Sequence, residues 1–112
     1  IVHGNAPEYI ILKQEVNGKS SVSEVQRLRH LRRNEEDFSL IEIKPKTGRT
    51  HQIRIHLSQN KFPIMGDKDY GIAAPKGITG LFLAAIKLGF KHPVTGSPMA
   101  FEIPLPKKFT KF

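Results

Sequence analysis

Residues 46–57 read KTGRTHQIRIHL, with one Gly, two Arg, two His, a Thr and a Gln gathered between two apolar-patterned segments. Thr50 is placed to cap a helix, and Ile53, His56 and Leu57 follow at i, i+3, i+4, so this spacing predicts a short helix with that face turned inward. Arg49, Gln52 and Arg54 then lie on its other sides. Gly48 permits a tight strand-to-helix turn. Such a turn aims free N–H groups outward, which suits an anionic ligand.

Before this turn, YIIL at 9–12 is β-branched and apolar enough for a strand, and NGK at 17–19 is a turn signal. The segment from Ser20 to Lys46 is ambiguous. Val25, Leu28 and Leu31 fall at helical spacing, while Val22, Glu24 and Gln26 equally open a strand. FSLIEIK at 38–44 alternates as a strand, entered through the acidic turn NEED at 34–37. After the helix, PIMGDKDYG reads as an extended piece closed by turns at Gly66 and Gly71, followed by the loop AAPKGITG. LFLAAIKLGF at 81–90 is apolar enough for a buried strand, and HPVTGSP connects it to a last strand in MAFEIPLP. Repeats and low-complexity tracts are absent, so one domain over 1–112 is expected.

With 18 Lys and Arg against 10 Asp and Glu, the 112-residue chain carries a net charge of +8, which favours a polyanionic partner such as nucleic acid. The sequence contains no Cys, which removes disulfides, thiol nucleophiles and Cys-ligated zinc. No apolar run reaches 18 residues, so no membrane span or membrane partner is expected, and a cytoplasmic setting fits. The chain begins at Ile1 without a charged leader and apolar h-region, which reads as a piece of a longer chain with no secretory signal.

His51 and His56 are five residues apart on the predicted helix, not the four that helical zinc ligands use, so no metal site is expected. The Gly-x4-Gly-Lys-Ser/Thr pattern is missing, and nucleotide hydrolysis has no support. Asp37, Asp67 and Asp69 read as turn-forming, solvated residues, with no paired carboxylates. His92, before Pro93, reads as a loop residue. Arg49 and Arg54 could be ordinary solvated charges, but a Gly turn, a helix start and two planar guanidinium forks within seven residues point to a carboxylate or phosphate.

TGRTHQIRIHL, then FPIMGDKDYG, LFLAAIKLGFKHPVTG and FEIPLP, together resemble the C-terminal half of the catalytic domain of RluA-like pseudouridine synthases. The resemblance runs from about Phe38 to Pro106 and fits Tyr9 to Leu31 only in outline. It implies an α+β fold with a mixed, mainly antiparallel sheet and few helices, here incomplete. It implies isomerisation of uridine to pseudouridine in ribosomal or transfer RNA, without cofactor or metal, on a nucleotide flipped from its stack. By the same resemblance Arg54 is the basic partner of the catalytic aspartate, holding it ionised. Arg49, Thr50, His51 and Gln52 shape the pocket or touch the RNA.

The chain departs from the family pattern in lacking the His-Arg-Leu-Asp string that carries this aspartate. Where relatives read Leu-His-Ala it has Leu83-Ala84-Ala85. A fragment inactive by itself is therefore expected, with exposed sheet edges that favour self-association. The other readings are a non-catalytic basic RNA-binding module and, ranked last, a helix-turn-helix-like DNA-binding domain.

Overall fold

In the computed structural model the described residues are 1–110 apart from 73 and 76. They form two compact units, Ile1–Phe82 and Leu83–Phe112. The first carries a four-stranded antiparallel sheet in the order β1-β4-β3-β2, built from β1 (Val2–His3), β2 (Tyr9–Leu12), β3 (Ser23–Arg33) and β4 (Glu36–Pro45). One helix, α1 (Gln52–Gln59), follows.

The ambiguous segment before FSLIEIK is a strand, and the long pairing with β4 decides it. Val25 faces Ile43, and the ladder continues to Arg33 opposite Glu36. The helical spacing of Val25, Leu28 and Leu31 is broken by a register shift between Arg27 and Arg29, which leaves Leu28 52% exposed while Val25 is buried. A helix would have put all three on one face.

The acidic turn is tighter than NEED implies. Only Asn34 and Glu35 form the loop, with φ of 51° and 65°, and Glu36 and Asp37 already belong to β4. Two positive φ values in a two-residue hairpin loop are the type I′ arrangement, whose twist matches that of the strands it joins. Asp37 lies opposite Arg32 in the ladder and pairs with His30 at 2.9 Å. The NGK signal also holds: a bridge joins Val16 and Lys19 around Asn17 and Gly18, both at positive φ.

The core of this unit comprises Val2, Ala6, Leu12, Val25, Leu57 and Ile64, with Ile10, Ile41, Ile43, Ile53, Phe62 and Leu81 packed around it. Helix α1 therefore docks by the predicted face, Ile53, His56 and Leu57. The first residues act as an edge that gathers the later loop. Met65 N donates to Ile1 O, His3 N to Pro63 O and Phe82 N to Met65 O. Gly66, at φ 83°, lies so close to this loop that a Cβ would stand 1.8 Å from Gly80 O. Backbone alone fits there.

In the second unit the expectation of a buried strand over 81–90 is corrected. The ladder is confined to β5 (Lys87–Lys91) and β6 (Pro98–Glu102), and every residue of β5 is exposed. Two strands cannot cover their own apolar face. Leu88, Phe90 and Phe101 consequently stay in solvent, the two Phe rings stacked at 5.8 Å. The connection HPVTGSP does close the hairpin, with His92 Nδ1 accepting from Val94 N and Thr95 N. A short helix α2 (Lys107–Thr110) ends the described chain. The Ala73–Gly80 loop reading includes residues 73 and 76, which lie outside the described residues.

The second loop position of a type I′ turn is normally Gly, and Glu35 occupies it here at φ 65°. Glu35→Gly should therefore stabilise the protein by about 1 kcal/mol, the strain of a non-Gly residue in that region. A higher urea midpoint at unchanged m-value would show it.

Candidate functional site

The turn 46–51 is organised from inside by Gln52, which is only 3% exposed. Its Oε1 accepts from Thr47 Oγ1 at 2.6 Å and from Arg49 N at 3.1 Å. Its Nε2 donates to Val22 O and Ser23 Oγ, both at 2.9 Å. The amide is thus saturated. Rather than lying on an outer face, as expected, Gln52 ties the start of α1 to the start of β3. The chain of bonds continues inward. With the ring hydrogen on Nε2, buried His56 donates to Gln14 O at 2.7 Å and accepts from Ser23 Oγ at 2.8 Å through Nδ1. That arrangement leaves both ring nitrogens satisfied.

The helix cap differs from the expected one. His51, not Thr50, is the N-cap, in the left-handed region at φ 53° and ψ 26° and without a side-chain cap bond. Gln52 Oε1 instead holds Arg49 N, two residues before the cap. Thr50 is exposed, and its carbonyl accepts from Asn17 Nδ2. Arg49 turns the other way, its Nε and Nη2 both donating to Ser20 O at 3.1 and 2.8 Å. The left-handed turn swings the His51 ring out to Tyr70, where Nδ1 meets the phenol oxygen at 3.0 Å and the rings lie edge to face.

Arg54 reaches the same tyrosine from the helix. Its Cζ stands 5.0 Å from the centre of the Tyr70 ring, within cation–π range. Its Nε donates to Asp67 Oδ2 at 3.0 Å, and its Nη2 to Asp67 Oδ1 at 2.7 Å and to Asp69 Oδ2 at 2.8 Å. The reading of Asp67 and Asp69 as solvated turn residues is therefore corrected for Asp67, which is buried, and the two carboxylates, expected to be unpaired, share Arg54. The Asp67 side chain is 1% exposed, because a carboxylate can be buried only against such a fork, while that of Asp69 is 70% exposed. Asp67 Oδ1 also accepts from Asp69 N and Tyr70 N, so one residue both shapes the turn and binds the guanidinium. The Arg54 bond, followed by these two backbone bonds, holds the Asp67 carboxyl below its ordinary value against the opposing effect of burial. The two carboxylates in turn raise the Arg54 value.

The site thus brings together Arg54, His51, Asp67, Asp69 and Tyr70, and leaves Arg49, Thr50 and Gln52 to other contacts. Sequence reading missed the last three members of that group, although the GD-x-x-YG string contains them and its glycines mark the turn. A Cβ at Gly71 would lie 2.5 Å from Asp67 O. Beside the turn opens a pocket of about 480 Å³, lined in part by Gly66, Asp67, Lys68, Gly71, Thr79 and Gly80. Among the described residues no three His, Asp or Glu side chains gather as metal ligands, and no helix is long and apolar enough to cross a membrane.

Comparison with known proteins gives this geometry a family. Residues 5–59 match the model of the RNA pseudouridylate synthase family. An RNA pseudouridine synthase of Bacillus subtilis (strain 168) is 42% identical over 91 residues, covering 81% of this chain and 29% of the relative. One of Aquifex aeolicus is 38% identical over 100 residues, covering 82% and 31%. The ribosomal large subunit pseudouridine synthase D of Vibrio vulnificus is 34% identical over 102 residues, covering 80% and 30%. The chain belongs to the RNA pseudouridine synthase family. Its relatives include synthase D, an RluA-family member, in agreement with the motif resemblance. The family match starts at residue 5, so β2 and β3, which the motifs covered only in outline, fall inside it. The chain spans about three tenths of the length of these three relatives.

Replacing Gln52 by Ala leaves Arg49 N and the Thr47 hydroxyl without their acceptor and takes one bond each from Val22 O and Ser23 Oγ, which keep Lys46 N and His56 Nδ1. The expected cost is about 3 kcal/mol, the upper range for buried polar groups left unpaired, read as a lower urea midpoint. Asp67 supplies a pH dependence of known sign. Because its folded value is depressed, its stabilisation is complete above the ordinary value of 3.8 and is lost as pH falls below it toward the folded value. A urea-midpoint titration from about pH 5 downward should contain this loss in wild type and lack it in Asp67→Asn.

Proposed function

We propose that this chain carries one wall of the uridine site of an RNA pseudouridine synthase, with Arg54 as its catalytic residue. The observation that carries the reading is the Arg54 guanidinium, held side-on by Asp67 through Nε and Nη2, so that the Nη1 side is turned to no hydrogen bond among the described residues. A second carboxylate approaching Nη1 would be kept ionised by the guanidinium. The sequence resemblance assigns that carboxylate to an aspartate in a His-Arg-Leu-Asp string not contained in these residues. In the reaction the bond from uracil N1 to ribose C1′ breaks and one from C5 forms. N1 gains a proton and C5 loses its hydrogen.

Asp67 is not that aspartate in this reading. Its side chain is buried, and its oxygens are already occupied by Arg54 and two backbone N–H groups. The 112-residue chain alone is accordingly a partial site, inactive until completed. His51 and Tyr70 stand beside Arg54 and would contact the flipped nucleotide. Arg49 and Thr50 line the same exposed turn. The names of the Vibrio relatives favour ribosomal RNA over transfer RNA as the substrate. The charge of +8 supplies the affinity for its phosphates. A basic RNA-binding module without chemistry remains the second reading, favoured by that same charge.

The test is release of the uracil C5 hydrogen, as tritium, from labelled RNA by the full-length protein. Arg54→Ala should lower kcat on the order of 100-fold or more while RNA affinity changes little, and Arg54→Lys should restore only part, since a point charge replaces a planar fork. Equal losses of turnover, binding and stability would assign Arg54 a structural role. The 112-residue chain should bind RNA without releasing tritium. Its log Kd should rise linearly with log salt, at a slope set by the number of phosphates neutralised.

A further inference from the structure

We infer that Asp67 is the positioning residue of this site: it fixes the direction of the Arg54 guanidinium, an inference that rests on the pseudouridine synthase reading above. An arginine on an eight-residue helix has four side-chain torsions to lose before its fork points anywhere. Three contacts remove that freedom here. Asp67 grips the Nε/Nη2 edge, Asp69 adds a bond to Nη2, and the Tyr70 ring lies against the guanidinium. Of these, Asp67 is the one fully buried and bonded on several sides. Its Oδ1 is bonded to Asp69 N and Tyr70 N, and Gly71 N bonds back to its carbonyl. Gly66 and Gly71 permit backbone approaches on either side of it that any Cβ would prevent.

Asp69 differs in kind, because its carboxylate is largely in solvent and an exposed ion pair constrains little. On the helix side, Gln52, two residues before Arg54, is anchored to β3 by its saturated amide. Backbone and guanidinium are thus fixed from opposite ends. The fork is also poorly explained as a stabilising pair alone. Asp67 borders an open pocket and Arg54 is still 17% exposed, where a hydrophobic pair would fill the same volume without a desolvation cost.

The test uses the full-length protein. Asp67→Asn keeps a carbonyl oxygen for the turn but sets an N–H₂ or a neutral oxygen against the guanidinium, so the turn survives and the fork does not. Asp67→Ser is the second variant, since a hydroxyl also accepts from the backbone of such a turn and spans too little to reach Arg54. Either should lower kcat on the order of 10- to 100-fold, as small misplacements of a reacting group do, with RNA Kd changed less than about twofold. In an Arg54→Ala background the same changes should lower kcat no further, because the residue they act through is gone. The Arg54 Nε–H resonance, slowed in exchange by Asp67 in wild type, should vanish in both variants. Unchanged kcat in an active enzyme, or losses that multiply with Arg54→Ala, would overturn this inference alone. A wild type that releases no tritium overturns the function reading, and this inference with it.

Discussion

A carboxylate buried as fully as that of Asp67 must find a cation, and Arg54 on α1 is the one that meets it. The placement of the helix relative to the 66–71 turn follows from that requirement. An eight-residue helix has little stability of its own, and α1 is held by what it touches. Leu57 and Ile53 give it an apolar seat on the sheet. Two polar anchors then fix its rotation, Gln52 toward β3 and Arg54 toward Asp67. The helix cannot slide or turn without leaving a buried amide or a buried carboxylate unpartnered.

The same economy explains the crowding of polar groups in KTGRTHQIRIHL. Two of them, Gln52 and His56, face inward and build a bonded chain through Ser23 to Gln14 O. Two others, His51 and Arg54, converge on Tyr70. Arg49 braces the turn against Ser20. One short stretch therefore does both structural and site-forming work, and neighbouring positions do opposite things.

Much of this was legible in the residues. The apolar spacing of Ile53, His56 and Leu57 marked the helix and its buried face, the alternation in FSLIEIK marked β4, and NGK marked its turn. The region before β4 was not legible, because a bulge near Leu28 shifts the strand phase and produces a helix-like spacing, and only the partner strand resolves it. The apolar run at 81–90 misled because composition reports a wish for burial and not a neighbour to provide it. The cap was misread for a local reason. Thr50 is the better capping residue by type, yet the N-cap is His51 in the left-handed region, and Gln52, folded inward, holds the Arg49 N–H just before it. Asp67 and Asp69 looked like turn residues, and Asp67 is one. Its second bond, to an arginine thirteen positions earlier, is a tertiary fact that no local pattern contains. The family, by contrast, was readable from the motif strings, since such strings preserve tertiary solutions that spacing rules cannot express.

In the proposed site, Arg54 is held by Asp67 so as to meet a second carboxylate at the uridine. The most direct measurement is a crystal structure of the full-length protein bound to RNA containing its target uridine. The expected result is an Arg54 still forked to Asp67 through Nε and Nη2, with Nη1 within hydrogen-bond distance of an aspartate that also borders the flipped nucleotide. A uridine bound away from Arg54, or an Arg54 that has released Asp67 to reach its partner, would contradict it.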